Sequence, residues 1–102
     1  MNYKYLVVYE HTVGSFSGFV PDIPGCITSA TTLEEMRRNM REAIACQIDS
    51  LVMEGSQVPK PATFTVHFPK DSGIEYWVVE LIDVAVPEAH SQQSQIASTL
   101  EG

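Results

Sequence analysis

The stretch Val20 to Ala45, VPDIPGCITSATTLEEMRRNMREAIA, leaves this chain few ways to fold. Pro24 pre-sets φ for the first central position of a type II turn and Gly25 supplies the positive φ that the second demands, so the backbone reverses there. Cys26-Ile27-Thr28 then reads as a short β-prone run. Thr31 stands three residues before Glu34 and Thr32 three before Glu35, two overlapping registers of the capping box that opens a helix, and Thr31 is taken as the cap. From Leu33 the apolar residues fall at 33, 36, 40, 43, 44, 48 and 51, the i, i+3, i+4 rhythm of a helix with one apolar stripe. Arg37 lies inside that arc and must snorkel or find a partner. Asn39, a poor mid-helix residue, is expected to bond a neighbouring loop. Gly55 suits the position just past a helix C-cap, and Pro59 with Pro61 keeps the helix from resuming, so the helix spans about Thr32 to Glu54.

Around that unit the periodicity changes to two. Tyr3 to Glu10 alternates Tyr3, Tyr5, Val7 and Tyr9 against Lys4, Leu6, Val8 and Glu10, the pattern of a strand within a sheet. Thr12 to Ser15 is a turn, and Phe16 to Val20 returns as a second strand in which Gly18 marks a bulge or the close approach of another backbone. The third strand runs from Gly25 to Ser29, completing a three-stranded antiparallel meander. Beyond the helix, Ala62 to Phe68 alternates Phe64, Val66 and Phe68 against Thr63, Thr65 and His67 and reads as a further strand. Glu75 to Val84 carries the strongest strand pattern, with Trp77, Val79 and Leu81 on one face and Tyr76, Val78, Ile82 and Val84 on the other, and is expected to pair centrally beside the first strand. The fold class is therefore α+β, a meander, one long helix and one or two further strands. Residues 1–86 form one domain, and 87–102 are a polar tail too short for a separate DNA-binding domain. One helix covers one sheet face only, so self-association into a dimer or higher homo-oligomer is expected to cover the other.

Thirteen acidic side chains against six basic ones give a net charge of −7. That balance disfavours contact with nucleic-acid phosphates, which relies on clustered Lys and Arg, and suits either a basic partner or simple solubility. No apolar run approaches the roughly 20 residues that span a bilayer, and the N-terminus has no signal-peptide core, so a cytoplasmic protein with no membrane partner is expected. Cys26 and Cys46 have neither metal-site spacing nor a disulfide framework. His11, His67 and His90 stand far apart with no HExxH, and nucleophile elbows, phosphate loops and dinucleotide fingerprints are absent, so no metal, cofactor or enzymatic activity is expected. Asp22 has two readings, an Asx-type turn residue or a carboxylate presented at a loop tip to a partner.

The order strand, DIPGC, TTLEE, helical N39-x-x-E42-A43, then Gly55 followed by Pro59 resembles the HicB-type antitoxin family over roughly Tyr3 to Pro61, and more loosely to Val86. The resemblance implies a partial ribonuclease H-like HicB fold and a binding module that occludes the active site of a small basic ribonuclease toxin of the HicA type. On that reading Glu10, Phe19 and Asp22 are the expected partner-binding residues, while Pro24, Gly25, Thr31 and Gly55 are the structural turn and cap residues. Many family members add a C-terminal DNA-binding module, whereas only 15 polar residues, EAHSQQSQIASTLEG, follow Pro87 here, and no direct DNA binding is expected. Two other readings remain: an orphan HicB-like interaction or regulatory protein without a toxin, and a metal-dependent nuclease built on Glu10, Asp22, Asp49 and Asp83.

Overall fold

The computed structural model describes residues 1–87, so the expected C-terminal tail lies outside the described residues apart from its first, Pro87. The elements are β1 (Asn2–Thr12), β2 (Ser15–Phe19), β3 (Ile27–Ala30), α1 (Leu33–Met53) and β4 (Tyr76–Ala85). They make an α+β fold with one four-stranded antiparallel sheet in the order β3-β2-β1-β4.

Local chemistry accounts for the joints. Between β2 and β3 the chain makes two linked turns, the first closed by the Ile23 N–H donating to the Val20 carbonyl and the second by Cys26 N–H donating to the Ile23 carbonyl, both at 3.1 Å. Pro24 and Gly25 are the central residues of the second, and Gly25 has φ +86, the value a type II turn requires there. The helix cap is Thr32 rather than Thr31. Thr32 has an extended backbone, its hydroxyl accepts the Glu35 N–H at 3.1 Å, and its carbonyl takes the first helical bond, from Met36 N–H. Thr31 serves the returning half of the box, its N–H donating to Glu35 Oε1 at 3.0 Å. At the other end Gly55, φ +75, donates to the Val52 carbonyl and Ser56 to that of Leu51, the two bonds of a Schellman motif.

The helix lays Met36, Met40, Ile44 and Ile48 on the sheet, with Leu33, Ala43 and Leu51 partly buried beside them. They meet Tyr5, Val7 and Tyr9 of β1, Phe16 of β2 and Ile82 of β4 in one core. Each such aliphatic side chain, fully buried, contributes about 1.5–3 kcal/mol. Gly18 marks a close approach of side chains rather than of backbone, and no bulge: it pairs in register with Tyr9, and a Cβ there would sit 2.9 Å from Met40 Cε and 3.1 Å from Met36 Sδ.

Two expectations are corrected. Residues 62–68 are not a strand, because the Ala62 and Thr63 N–H groups donate to the Asp22 carboxylate instead of to a neighbouring ladder. The strand from Tyr76 does lie beside β1, but as an edge strand and not centrally: β1 takes β2 on one side and β4 on the other, and among the described residues nothing pairs beyond β4.

Candidate partner-binding face

Strand register sorts the sheet into transverse rows. On the helix side these are Thr28-Gly18-Tyr9-Val78 and Ala30-Phe16-His11-Tyr76. On the opposite face they are Ile27-Phe19-Val8-Val79, an apolar row crossing all four strands, and Ser29-Ser17-Glu10-Trp77 beside it. Leu6 and Leu81 extend the apolar area along β1 and β4, and the exposed pair Lys4 Nζ to Asp83 Oδ2, 3.8 Å apart, closes that end. Leu6 and Val8 are buried, 6% and 1% exposed, whereas Ile27 at 67%, Leu81 at 55% and Val79 at 42% are open to solvent. Phe68, from the segment between the helix and β4, packs its ring against Trp77 with centroids 4.8 Å apart. Solvent-exposed apolar residues gathered on one sheet face, with polar residues at its ends, have the anatomy of an interaction site.

The structure brings two of the three expected partner residues to this face. Phe19 sits in the apolar row and Glu10 in the next, both half-buried. Asp22 is elsewhere and occupied. Its Oδ2 accepts the N–H groups of Ala62 at 2.8 Å and Thr63 at 2.9 Å, and its Oδ1 accepts the Thr63 hydroxyl at 2.7 Å. Burial opposes ionisation of Asp22, but the three hydrogen bonds outweigh it and hold the carboxyl below its ordinary value. Asp22 therefore latches the segment after the helix onto the turn between β2 and β3. Tyr5 adds a second tie, donating its hydroxyl to the Pro59 carbonyl, and burial with the nearby Tyr3 and Asp22 pushes its phenol up to about 12.

Comparison with known proteins agrees with this architecture. The model of the HicB-like antitoxin of bacterial toxin-antitoxin systems matches residues 5–101. The chain belongs to the HicB-like antitoxin family. Its fold is similar to the N-terminal domain of the Burkholderia pseudomallei antitoxin HicB, with TM-score 0.58 and 28% identity over 82% of this chain and 98% of that one. A chain of a HicA3 and HicB3 toxin-antitoxin complex is similar to the same extent, with TM-score 0.56, 28% identity and the same coverage of both chains. Among curated proteins, a UPF0150 protein of Synechocystis is 39% identical over 59 residues, 57% of this chain and 75% of its own length. An uncharacterized 14.9 kDa protein from the rep-hol intergenic region of Haemophilus phage HP1 is 24% identical over 96 residues, 94% of this chain and 71% of its own.

Within this HicB-like domain several further polar groups serve the fold. Arg37 meets Glu80 of β4, Nη2 to Oε1 at 2.8 Å and Nε to Oε1 at 2.9 Å, which resolves its place in the apolar arc. The Tyr9 hydroxyl donates to Glu80 Oε2 at 3.1 Å, and burial together with that carboxylate pushes its phenol upward. Asn39 Nδ2 donates to the Ser29 carbonyl at 3.1 Å, so its partner is a strand rather than a loop. His11 lies between Phe16 and Tyr76, its Nδ1 2.7 Å from Glu75 Oε1 without hydrogen-bond alignment. Burial raises the Cys26 thiol and keeps it neutral. Among the described residues no three His, Cys, Asp or Glu side chains come together as a metal-binding group, and no helix is long and apolar enough to cross a membrane. Sequence reasoning did not single out Ile27, Val79 and Leu81 as surface residues. The signal was the apolar character of β4 on both faces, which a central strand would share.

Proposed function

We propose that this chain is the antitoxin half of a toxin-antitoxin pair and that it binds a HicA-like ribonuclease and covers its active site, acting by occlusion and not by catalysis. The observation that carries the reading is the similarity to a chain of the HicA3 and HicB3 complex, which extends over 98% of that chain. The partner contacts are assigned to the face opposite the helix, with Phe19 as an apolar anchor and Glu10 as the charge at its margin. An excess of seven negative charges steers a basic partner toward the domain and makes the association rate fall with salt. The same charge disfavours operator DNA, so no DNA contact is assigned to this chain.

The test is co-expression with a small basic ribonuclease of the HicA type, followed by co-purification and a ribonuclease assay. Silenced ribonuclease activity in the complex, restored by Phe19→Glu, with an association rate that drops as salt rises, is the expected result. Recovery of the chain without such a companion supports the orphan interaction module instead. Full inhibition by Phe19→Glu with an unchanged dissociation constant would move the site off this face.

A further inference from the structure

We infer that the cleft between Trp77 and the loop leading into β4 is a subsite for an arginine side chain carried by a basic protein partner. The inference deepens the toxin reading and rests on it only for the partner's name, since the chemistry of the cleft stands by itself.

The cleft is built on the single tryptophan of the chain. Strand register pairs Trp77 of β4 with Glu10 of β1 and turns both to the face opposite the helix, in the row next to the one that holds Phe19. Phe68 meets Trp77 with ring centroids 4.8 Å apart and planes inclined at 41°, a wedge rather than a stack. Residues 69–74 then turn back toward β4, with Asp71 at φ +59, Gly73 at φ +81 and the Ile74 N–H donating to the Ser72 hydroxyl at 3.4 Å. Wedge and loop together line an open cleft of about 430 Å³. Of its lining only Ile74 and Trp77 are half-buried, and the other residues are exposed. A small-molecule site encloses most of its ligand. A groove as open as this one suits instead a side chain whose own protein covers it on docking.

The chemistry of the groove selects the side chain. The indole face is the best aromatic receptor for a cation, and the planar guanidinium matches it better than an ammonium because it stacks and is more weakly hydrated. Two carboxylates flank the indole, Asp71 from the loop and Glu10 from the paired position on β1. Among the described residues neither makes an ion pair, whereas Glu75, Glu80 and Asp83 are engaged by His11, Arg37 and Lys4. Lys70 is the cation of the lining, outnumbered by the two carboxylates on a chain of net charge −7. An acidic surface alone attracts any cation. An aromatic wedge between two unpaired carboxylates favours a flat one.

The test uses the full-length chain and a tetra-arginine peptide blocked at both ends, with the tetra-citrulline peptide as its uncharged isostere, read by Trp77 fluorescence and by calorimetry. The arginine peptide is expected to give a saturable change and the citrulline peptide none. Asp71→Asn, which keeps a residue type that tolerates the left-handed backbone, should weaken binding about 2- to 5-fold. Trp77→Leu, read by calorimetry, should weaken it about 3- to 30-fold. Lys70→Gln should strengthen it. Should Trp77→Leu fail to fold, the exposed substitutions Asp71→Asn and Lys70→Gln carry the test. No response at Trp77, an equal response to citrulline, or one affinity for all variants overturns the proposal. Weaker binding by Lys70→Gln overturns it too, because the cleft would then be an anion site. The toxin reading fails separately: a chain that silences a HicA-type ribonuclease without an arginine response at Trp77 loses only the subsite, and one that binds the arginine peptide at Trp77 but silences no such ribonuclease keeps the subsite and loses the toxin.

Discussion

Replacing Asp22 by Ala removes three hydrogen bonds at once, and the consequence can be worked out. Two main-chain N–H groups and one hydroxyl donate to this carboxylate at 2.7–2.9 Å from residues 62 and 63. A hydrogen bond to a charged group contributes about 1.5–3 kcal/mol. Here three share one acceptor at a half-exposed site where water substitutes in part, so the total falls well short of their sum, and about 2–3 kcal/mol is expected. At about 4–8 °C per kcal/mol for a domain of this size, the melting temperature should drop by about 10–20 °C. Asp22→Asn, which keeps the turn but loses the charge and one acceptor, should lose roughly half as much. The effect has a pH signature of known sign. Because the folded carboxyl titrates below its ordinary 3.8, its contribution is complete above that value and is lost as pH falls through the folded value. Urea unfolding at neutral and acid pH, with hydrogen exchange at the Ala62 and Thr63 amides, measures both parts. If Asp22→Ala unfolds within 0.5 kcal/mol (on the order of assay error) of wild type and those two amides keep their protection, the latch is incidental and the turn alone explains the aspartate.

Three further outcomes are expected. Gly18→Ala should cost about 1–3 kcal/mol in urea unfolding, because its Cβ must displace the ends of Met40 and Met36 and the Tyr9 ring; an equal or higher midpoint would mean that the methionines give way freely. Thr32→Ala should cost about 1 kcal/mol and Thr31→Ala much less, and the reverse order would return the cap to Thr31. Tyr5→Phe should cost about 1 kcal/mol, and in an ultraviolet titration it should remove a phenol that ionises near pH 12; a Tyr5 that titrates as freely as a surface tyrosine would contradict its bond to Pro59.

What the sequence determined is what near neighbours decide. The Pro24-Gly25 turn needs only its own four residues, and the helix limits follow from Thr32, Glu35 and Gly55, whose partners lie within five positions. The two-residue alternation of β1 and β4 assigned their faces correctly, since the period of a strand is a backbone property. At the candidate site the alternation alone did not relate Glu10 to Phe19; the hairpin register puts them on a shared face. The tertiary structure decided the rest. Asp22 and Thr63 are 41 residues apart, and Arg37 and Glu80 are 43 apart, so no local pattern announces either pair. Residues 62–68 alternate as a strand does, yet a strand needs a neighbour to take its bonds, and Asp22 takes two of its N–H groups first. Likewise an apolar pattern on both faces of β4 states that both faces avoid water, not what covers them. Its position at the edge follows from strand order, which depends on long-range pairing and not on any residue within the strand.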